Sequence, residues 1–288
     1  MNDAAIPFVF DSIPVRGTIV QLQNSWQRLL ANHDYDPCVR EVLGQSAAAT
    51  ALIAQTLKHD SSTTLQISGD GPMSMLVMQC NSELEFRGMA SATEQAVGLG
   101  FGKLVTNAHC AITIDSGNQE RSYQGIVEIG EASLAQSLEN YYLRSVQIPT
   151  HLQLVANEVV SGGILLQQMP GRKNPAADDW RRLGMLAATL RVEDLRDGGG
   201  VELIRKLFAE DDVRVFDCRS VIFRCRCTRQ KTEDVLRLLG EDECREALSD
   251  SNKVIITCEF CSRRREFDGV DIARLFTATT APSSDAIH

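Results

Sequence analysis

Long apolar runs are missing from this chain. None approaches the roughly 20 consecutive apolar residues that a membrane-spanning helix needs, so no membrane partner is expected. A leader is missing too: Met1-Asn2-Asp3-Ala4-Ala5 has no basic region and no apolar core before a cleavage site, which reads against a secretory signal. The expected setting is the cytoplasm. Aromatic residues are scarce, at 6% against 43% hydrophobic residues overall, so aliphatic side chains must fill the core. An excess of positive charge is also lacking. The net charge of −9 argues against non-specific nucleic-acid binding by the chain as a whole. No internal repeat is found.

Nucleotide-binding and catalytic signatures fail on spacing. Gly98-Leu99-Gly100-Phe101-Gly102-Lys103 ends in a Gly-Lys pair, but Val97 stands where a P-loop requires glycine and Leu104 where it requires Ser or Thr. A glycine-rich turn ahead of a strand over Lys103 to Asp115 is expected instead. His109-Cys110 has the composition of a thiol-protease pair, yet neighbours in a strand point to opposite faces, so the pair is read as structural. With no catalytic constellation left, a non-enzyme that binds no nucleotide is expected.

What is there is a chain of 288 residues, enough for one large or two modest domains. Val15 to Leu22 combines β-branched residues with partial alternation and predicts a strand. Ser25 is placed to cap a helix over Trp26 to Asn32. Pro37 opens a long alanine-rich helix over Cys38 to Lys58, with Val39, Val42, Leu43, Ala47 and Ala51 at helical spacing. Strands over Thr64 to Ser68 and Ser74 to Gln79 flank the turn Gly69-Asp70-Gly71-Pro72, and a third spans Leu84 to Ala90. Further on come a strand over Ser122 to Ile129 and an amphipathic helix over Ala132 to Arg144. Leu152 to Val160 alternates, Gly162-Gly163 breaks the pattern, and a strand follows over Ile164 to Gln168.

The run from Pro170 to Pro175 is the clearest break in the chain and is expected to mark a domain boundary. Beyond it the pattern is helical. Asp178 is placed to cap a helix through Trp180, Leu183, Leu186 and Leu190, and Gly198-Gly199-Gly200 separates it from a helix over Val201 to Phe208. Pieces this short are marginal alone. A helix over Thr228 to Gly240, a strand over Val254 to Thr257 and a helix over Asp268 to Phe276 follow. The polar stretch from Thr277 to His288 is expected to be disordered.

Nine cysteines in an expected reducing compartment point to metal binding, catalysis or redox sensing before structural disulfides. Four of them form two tight pairs, Cys225-Arg226-Cys227 and Cys258-Glu259-Phe260-Cys261, separated by thirty residues. A one- or two-residue spacer lets both sulfurs of a pair reach one ion at about 2.3 Å, so the four match a tetrahedral zinc site. Two redox disulfides without metal, or four unrelated thiols, are the alternatives. Cys38, Cys80, Cys110, Cys218 and Cys244 are read as small buried or half-buried apolar side chains, with Cys218 and Cys244 close enough in sequence to serve as spare thiols. The expected fold is α+β. An N-terminal mixed sheet-and-helix domain (1–175) is followed by a helical linker (176–224) and a small C-terminal four-cysteine zinc domain with its tail (225–288).

Three mechanisms are open to such a site. One is a structural zinc knuckle. The second is a redox switch, in which metal-held thiolates react with peroxide or hypochlorous acid. The third, a thiol oxidoreductase built on Cys258-Glu259-Phe260-Cys261, is weak. Such enzymes open a helix with C-x-x-C, whereas Arg263-Arg264-Arg265-Glu266-Phe267 reads as a strand.

The words around the cysteines carry more. Phe223-Arg224-Cys225-Arg226-Cys227 and Cys258-Glu259-Phe260-Cys261 resemble the C-terminal switch of the heat-shock protein 33 family, the redox-regulated holdase chaperones. Upstream, Tyr123-Gln124-Gly125-Ile126-Val127, Gln147-Ile148-Pro149-Thr150 and Ser161-Gly162-Gly163-Ile164-Leu165-Leu166-Gln167 are similar to that family in the same order. Val146 departs from it, standing where the family usually has an acidic residue.

The resemblance implies an ATP-independent holdase, inactive while reduced and holding one zinc ion on Cys225, Cys227, Cys258 and Cys261. It implies oxidation to Cys225–Cys227 and Cys258–Cys261 disulfides, of which the small C-x-C ring is expected to be strained and readily reduced. Zinc release, unfolding of the C-terminal domain, a destabilised linker, exposure of apolar surface to unfolding client proteins, and a homodimer in the oxidised form are further implications. Leu183, Leu186, Leu190, Leu203 and Leu207 are the candidate client-binding residues, expected to pack on the N-terminal sheet while the protein is reduced. The remaining alternatives are a constitutive chaperone with structural zinc and a zinc-ribbon-type nucleic-acid-binding protein. For the latter, Arg214 to Arg265 holds twelve Lys and Arg against nine Asp and Glu, and Arg263-Arg264-Arg265 could contact phosphates.

Overall fold

Alternating apolar residues build the first part of the chain, and the computed structural model describes residues 3–117, 122–130, 133–169, 171 and 174–277. Two strands, β1 (Asp3–Phe10) and β2 (Val15–Leu22), lead into α1 (Asn24–Leu30) and the long α2 (Pro37–Ala54). A meander follows: β3 (Ser61–Ser68), β4 (Met73–Asn81) and β5 (Glu85–Ala92). The turn α3 (Phe101–Leu104), then β6 (His109–Ser116) and β7 (Ser122–Glu128), complete it. Next come α4 (Leu134–Tyr141), a π-type turn over Tyr142–Val146, and the hairpin of β8 (Thr150–Ala156) and β9 (Ser161–Gln168). Three helices, α5 (Ala177–Ala187), α6 (Val192–Asp197) and α7 (Gly200–Leu207), precede the short strands β10 (Val213–Val215), β11 (Arg219–Ser220) and β12 (Ile222–Phe223). The chain divides into two compact units, Met1–Arg224 and Cys225–His288. The second holds α8 (Arg229–Leu239), α9 (Glu241–Ser251), the hairpin β13 (Val254–Thr257) and β14 (Arg264–Phe267), and α10 (Gly269–Thr277).

In the first unit the strands form two sheets. One runs β10-β1-β2-β9-β8, with β11 also on β1, and is antiparallel throughout. The other runs β12-β5-β4-β3-β6-β7, antiparallel except for the parallel β12–β5 pair. Helix α2 packs against strands of both sheets. Its burial is accordingly two-sided: Val39, Val42 and Leu43 are covered, and so are Ala47, Ala48, Ala49, Ala51 and Ala54, whose small side chains let both sheets come close. The outer face of the first sheet is apolar as well. Ile6, Phe8, Phe10, Val15, Ile19, Ile164 and Leu166 are buried there under Leu183, Leu190, Leu195, Leu203, Ile204 and Phe208 from the segment that carries α5 to α7. The rings of Phe8, Phe10 and Phe208 meet at 5.0–5.8 Å between centroids.

The α+β class expected from the sequence is what the chain adopts, and most elements fall where the patterns place them. The departures have physical causes. Ser25 does not cap α1. It lies inside the helix and its hydroxyl donates to the Val221 carbonyl (3.0 Å), while the Asp3 carboxylate accepts the Gln23 and Ser25 amides (2.8 and 2.9 Å). Asp36 caps α2 through the Cys38 amide (2.9 Å), and the helix stops at Ala54 rather than Lys58. Asp178 is no cap either, since it sits within the first turn of α5 and pairs with Arg181 on the surface (2.8 Å). The strand expected from Lys103 begins only at His109. Gly162 and Gly163 do not interrupt β9 but lie inside it. A Cβ on Gly162 would strike the Val20 carbonyl and Leu195, and one on Gly163 the Gln153 carbonyl, so the central strand tolerates no side chain there. Residues 278–288, expected to be disordered, lie outside the described residues, as does Ala132 at the start of the expected helix before α4.

One contact under α5 carries a titration. The His151 ring stacks on Trp180 (4.2 Å between centroids), and a Cβ on Gly184 would collide with it. Its Nε2 is buried without a hydrogen-bond partner, and burial lowers its pKa from the ordinary 6.5. Glu139, 3.9 Å from Nδ1, is held above the ordinary 4.5 by burial, against the pull of the Leu152 amide it accepts. The histidine is therefore stabilised neutral, and stability is lost as pH falls below about 6.5, by up to about 1.4 kcal/mol per pH unit. The raised Glu139 takes up protons in the folded state and works in the opposite sense toward the carboxylate range. Urea midpoints measured from pH 7.5 to 5 are expected to fall for the native chain. A flatter profile is expected for His151→Phe, which keeps the ring stack without the proton site.

Candidate metal centre

The second cysteine pair sits where a hairpin turns. Register between β13 and β14 runs from Val254 opposite Phe267 to Thr257 opposite Arg264. One residue further, the Cys258 amide donates to the Arg263 carbonyl (3.1 Å), and the Cys258 carbonyl accepts the amides of Cys261 (3.3 Å) and Ser262 (2.7 Å). Ser262 takes a left-handed conformation, φ 52°, which closes the turn. The first pair lies just ahead of α8, whose N-cap Thr228 accepts the Lys231 amide (3.2 Å). Arg265 on β14 donates from Nη2 to the Cys227 carbonyl (3.1 Å) and so ties the two pairs together.

The result is a cluster of four half-buried sulfurs, all within 4.8 Å of one another. Cys225 Sγ lies 3.7 Å from Cys258 Sγ, and Cys227 Sγ lies 3.4 Å from Cys261 Sγ. These are not disulfides, which need about 2.0 Å. They approach the roughly 3.8 Å edge that a tetrahedral ion about 2.3 Å from each sulfur would set. Electrostatics point the same way. Burial holds the Cys225 and Cys261 thiols above their ordinary value. Burial also pushes Cys227 upward, but hydrogen bonds from Cys261, Cys225 and Cys258 and the charge of Arg263 outweigh it, so this thiol is drawn down. Cys227 is thus drawn toward the thiolate, while Cys225 and Cys261 resist ionising. A divalent cation would supply the missing positive charge, so the donor set fits a metal ion.

Around the cluster the second unit has a small core of Leu236, Cys244, Val254, Phe267, Ile272 and Leu275. The Arg229 guanidinium covers the Phe267 ring (4.6 Å) and pairs with Asp271 (3.0 Å) and Glu233 (3.2 Å). Of the other cysteines, Cys80, Cys110 and Cys244 are buried and Cys38 half-buried, as expected, whereas Cys218 is exposed. The candidate client-binding leucines do not join this site. Leu183, Leu190 and Leu203 are buried, and Leu186 and Leu207 partly so, all in the layer on the first sheet. Sequence reasoning missed the hydrogen bond of Arg265, because the three consecutive arginines read only as part of a strand and as possible phosphate contacts. Arg264 instead reaches Glu266 (3.5 Å). No helix among the described residues is long and apolar enough to cross a membrane.

Fold and site together define a two-unit α+β protein whose smaller unit gathers four cysteines able to hold a metal ion. A family model described as Hsp33 protein matches residues 3–268. The chain is 39% identical to a 33 kDa chaperonin of Methylobacillus flagellatus, over 100% of this chain and 99% of that one. It is 35% identical to a 33 kDa chaperonin of Shewanella loihica, over 96% of each. The chain belongs to the Hsp33 family, and membership supports a chaperone function. In fold it is similar to the crystal structure of a 33 kDa chaperonin, a heat shock protein 33 homolog, from Thermotoga maritima. The TM-score is 0.79 at 20% identity, over 96% of this chain and 99% of that one.

Cys258→Ser is expected to abolish stoichiometric metal binding, read as metal content of the purified protein, while Cys218→Ser retains it. Full metal content in the Cys258 variant would sink the ligand assignment.

Proposed function

We propose that this chain is an ATP-independent holdase, quiet when reduced and zinc-loaded, and active toward unfolding proteins once oxidised. The observation that carries the reading is the convergence of Cys225, Cys227, Cys258 and Cys261 within 4.8 Å in a unit whose core has six buried residues. Zinc held by these four residues would keep their sulfurs as thiolates at neutral pH. Oxidation joins Cys225 to Cys227 and Cys258 to Cys261. In each pair one sulfur takes oxygen from peroxide to become a sulfenic acid, releasing one water. The second thiol then closes the S–S bond and releases another. Per disulfide, two thiols lose two electrons and two protons, and one peroxide becomes two waters.

Sulfurs bound in disulfides no longer serve as thiolate ligands. The second unit then forfeits metal-coupled folding energy on the order of 10–16 kcal/mol, and a unit this small has little core to replace it. The segment from Ala176 to Arg224 is the proposed linker. Its helices α5, α6 and α7 have 11, 6 and 8 residues, and its strands have two or three. Short elements of this kind sit at the low-stability end of a fold. Releasing them bares Leu183, Leu186, Leu190, Leu203 and Leu207 together with the apolar sheet face beneath, which is the proposed client surface. In the same reading the oxidised chain dimerises, takes no nucleotide or nucleic acid, and catalyses no reaction.

Light scattering of a heat-unfolding client tests this. Suppression of aggregation is expected only after peroxide treatment of the zinc-loaded protein, with reversal by a thiol reductant. Equal suppression before and after oxidation would instead mean a constitutive holdase with structural metal.

A further inference from the structure

Between the two sheets of the first unit, at the C-terminal end of α2, lies a cavity of about 250 Å³. Leu52, Ile112 and Leu165 give it aliphatic walls, and Arg16, Tyr142 and Gln167 also line it. The arginine is there by register. On β2, Thr18, Val20 and Leu22 are buried, with Val20 and Leu22 in the core between the sheets, and Arg16 continues that face by two residues.

A guanidinium carried into such a space is costly to desolvate unless it is paired. Arg16 has five N–H donors in a planar fork, and one is used: Nη2 donates to Gln167 Oε1 (2.9 Å). Its Nε is buried with no hydrogen-bond partner, and no carboxylate among the described residues pairs with it. Gln167 is itself held, its Nε2 donating to Thr150 Oγ1 (3.2 Å), so the guanidinium is oriented rather than loose. The Tyr142 hydroxyl, which the Arg16 charge reaches, has no hydrogen-bond partner among the described residues either, and burial pushes its pKa up to about 12, so it stays a neutral donor. Tyr141 and Tyr123, by contrast, satisfy each other (3.2 Å between hydroxyls).

A planar fork with free donors beside a hydroxyl suits a carboxylate. One cation in the lining suits a single negative charge. Aliphatic walls and a volume below the roughly 300 Å³ of drug-sized pockets suit a short apolar tail. We propose that this cavity is a binding site for a small monocarboxylate with an unbranched apolar tail, its carboxylate on Arg16 and Tyr142 and its tail against Leu52, Ile112 and Leu165. The site is separate from the cysteine cluster and does not depend on its oxidation.

Calorimetric titration of the full-length reduced protein with octanoate tests it. One octanoate per chain is expected, with octanol, which has the tail but no charge, and acetate, which has the charge but no tail, each about tenfold weaker or more. Arg16→Met is expected to weaken octanoate by a similar factor. Arg16→Lys keeps the charge without the fork and is expected to fall between, which keeps the test open should the methionine variant fold poorly. No heat with millimolar octanoate, octanol bound as tightly as octanoate, or unchanged affinity in a folded Arg16 variant would each overturn the assignment.

Discussion

Four sulfurs held within 4.8 Å are the constraint on which the second unit depends. Two of them precede α8 and two close the β13–β14 turn, so whatever joins them closes a loop of thirty residues that contains both long helices of the unit. The near contacts cross between the pairs, Cys225 with Cys258 and Cys227 with Cys261. A metal ion would be such a cross-tie. Disulfides within each pair would not be, because they span one or two intervening residues and remove almost no loop entropy from the unfolded chain. Under the proposed pairing, oxidation therefore replaces a long-range restraint with two local ones. The unfolding step needs no further device.

The first unit meets a different constraint, an excess of apolar surface on one sheet. Strands β2 and β9 are buried on both faces almost without interruption. Helix α2 covers one face, and the segment of α5 to α7 must cover the other, because Ile6, Phe8, Ile19, Ile164 and Leu166 would otherwise form a contiguous exposed patch. That cover is built of short pieces, pinned by a few polar contacts such as Arg182 on Asp211 (2.5–2.9 Å) and the stack of His151 on Trp180. A holdase needs apolar area that is hidden at rest and released without an energy source. In the proposed reading, short helices over a two-faced sheet would meet both needs, since each helix depends on its packing rather than on its own propensity.

How far the sequence could be read follows from how local each signal is. Strand β2 and strand β13 were legible to the residue, because alternation and flanking turns are local. The start of α2 was legible from Pro37. Its two-sided burial was not, since alanine carries little periodic contrast. Strand β1 escaped because Pro7 lies in its middle, helix α9 because its stripe is short, only Cys244, Ala247 and Leu248 amid charged and polar residues, and β10 to β12 because two or three residues have no period. The cysteine cluster was legible for the same local reason, as two close pairs. The hydrogen bond from Arg265 to Cys227 spans 38 residues and was not. Arg16 is the extreme case: a charged residue at a strand end reads as solvent-facing, yet register puts it on the core side of β2 and Gln167, 151 residues away, holds its guanidinium there.

The remaining thiols bear on whether a switch of this kind can be selective. Reaction with an oxidant needs both access and thiolate. Cys80 and Cys110 lie in the core between the sheets, and burial pushes Cys110 up to about 12. Cys244 is buried against Leu236 in the second unit, and burial raises it as well. Cys38 is raised by partial burial and by Asp36 at the start of α2. These four are protected by their positions, and Cys244 only for as long as the second unit stays folded. Cys218 is exposed, between β10 and β11 in the proposed linker. The proposed switch would thus begin with the cluster and Cys218 within reach of an oxidant, and would uncover Cys244 only after unfolding. A thiol made available at that stage would lie in the same unfolded segment as Cys258 and Cys261, where exchange with a new disulfide would be a local event. Under that proposal the order in which cysteines become accessible would be set by packing rather than by their intrinsic reactivity.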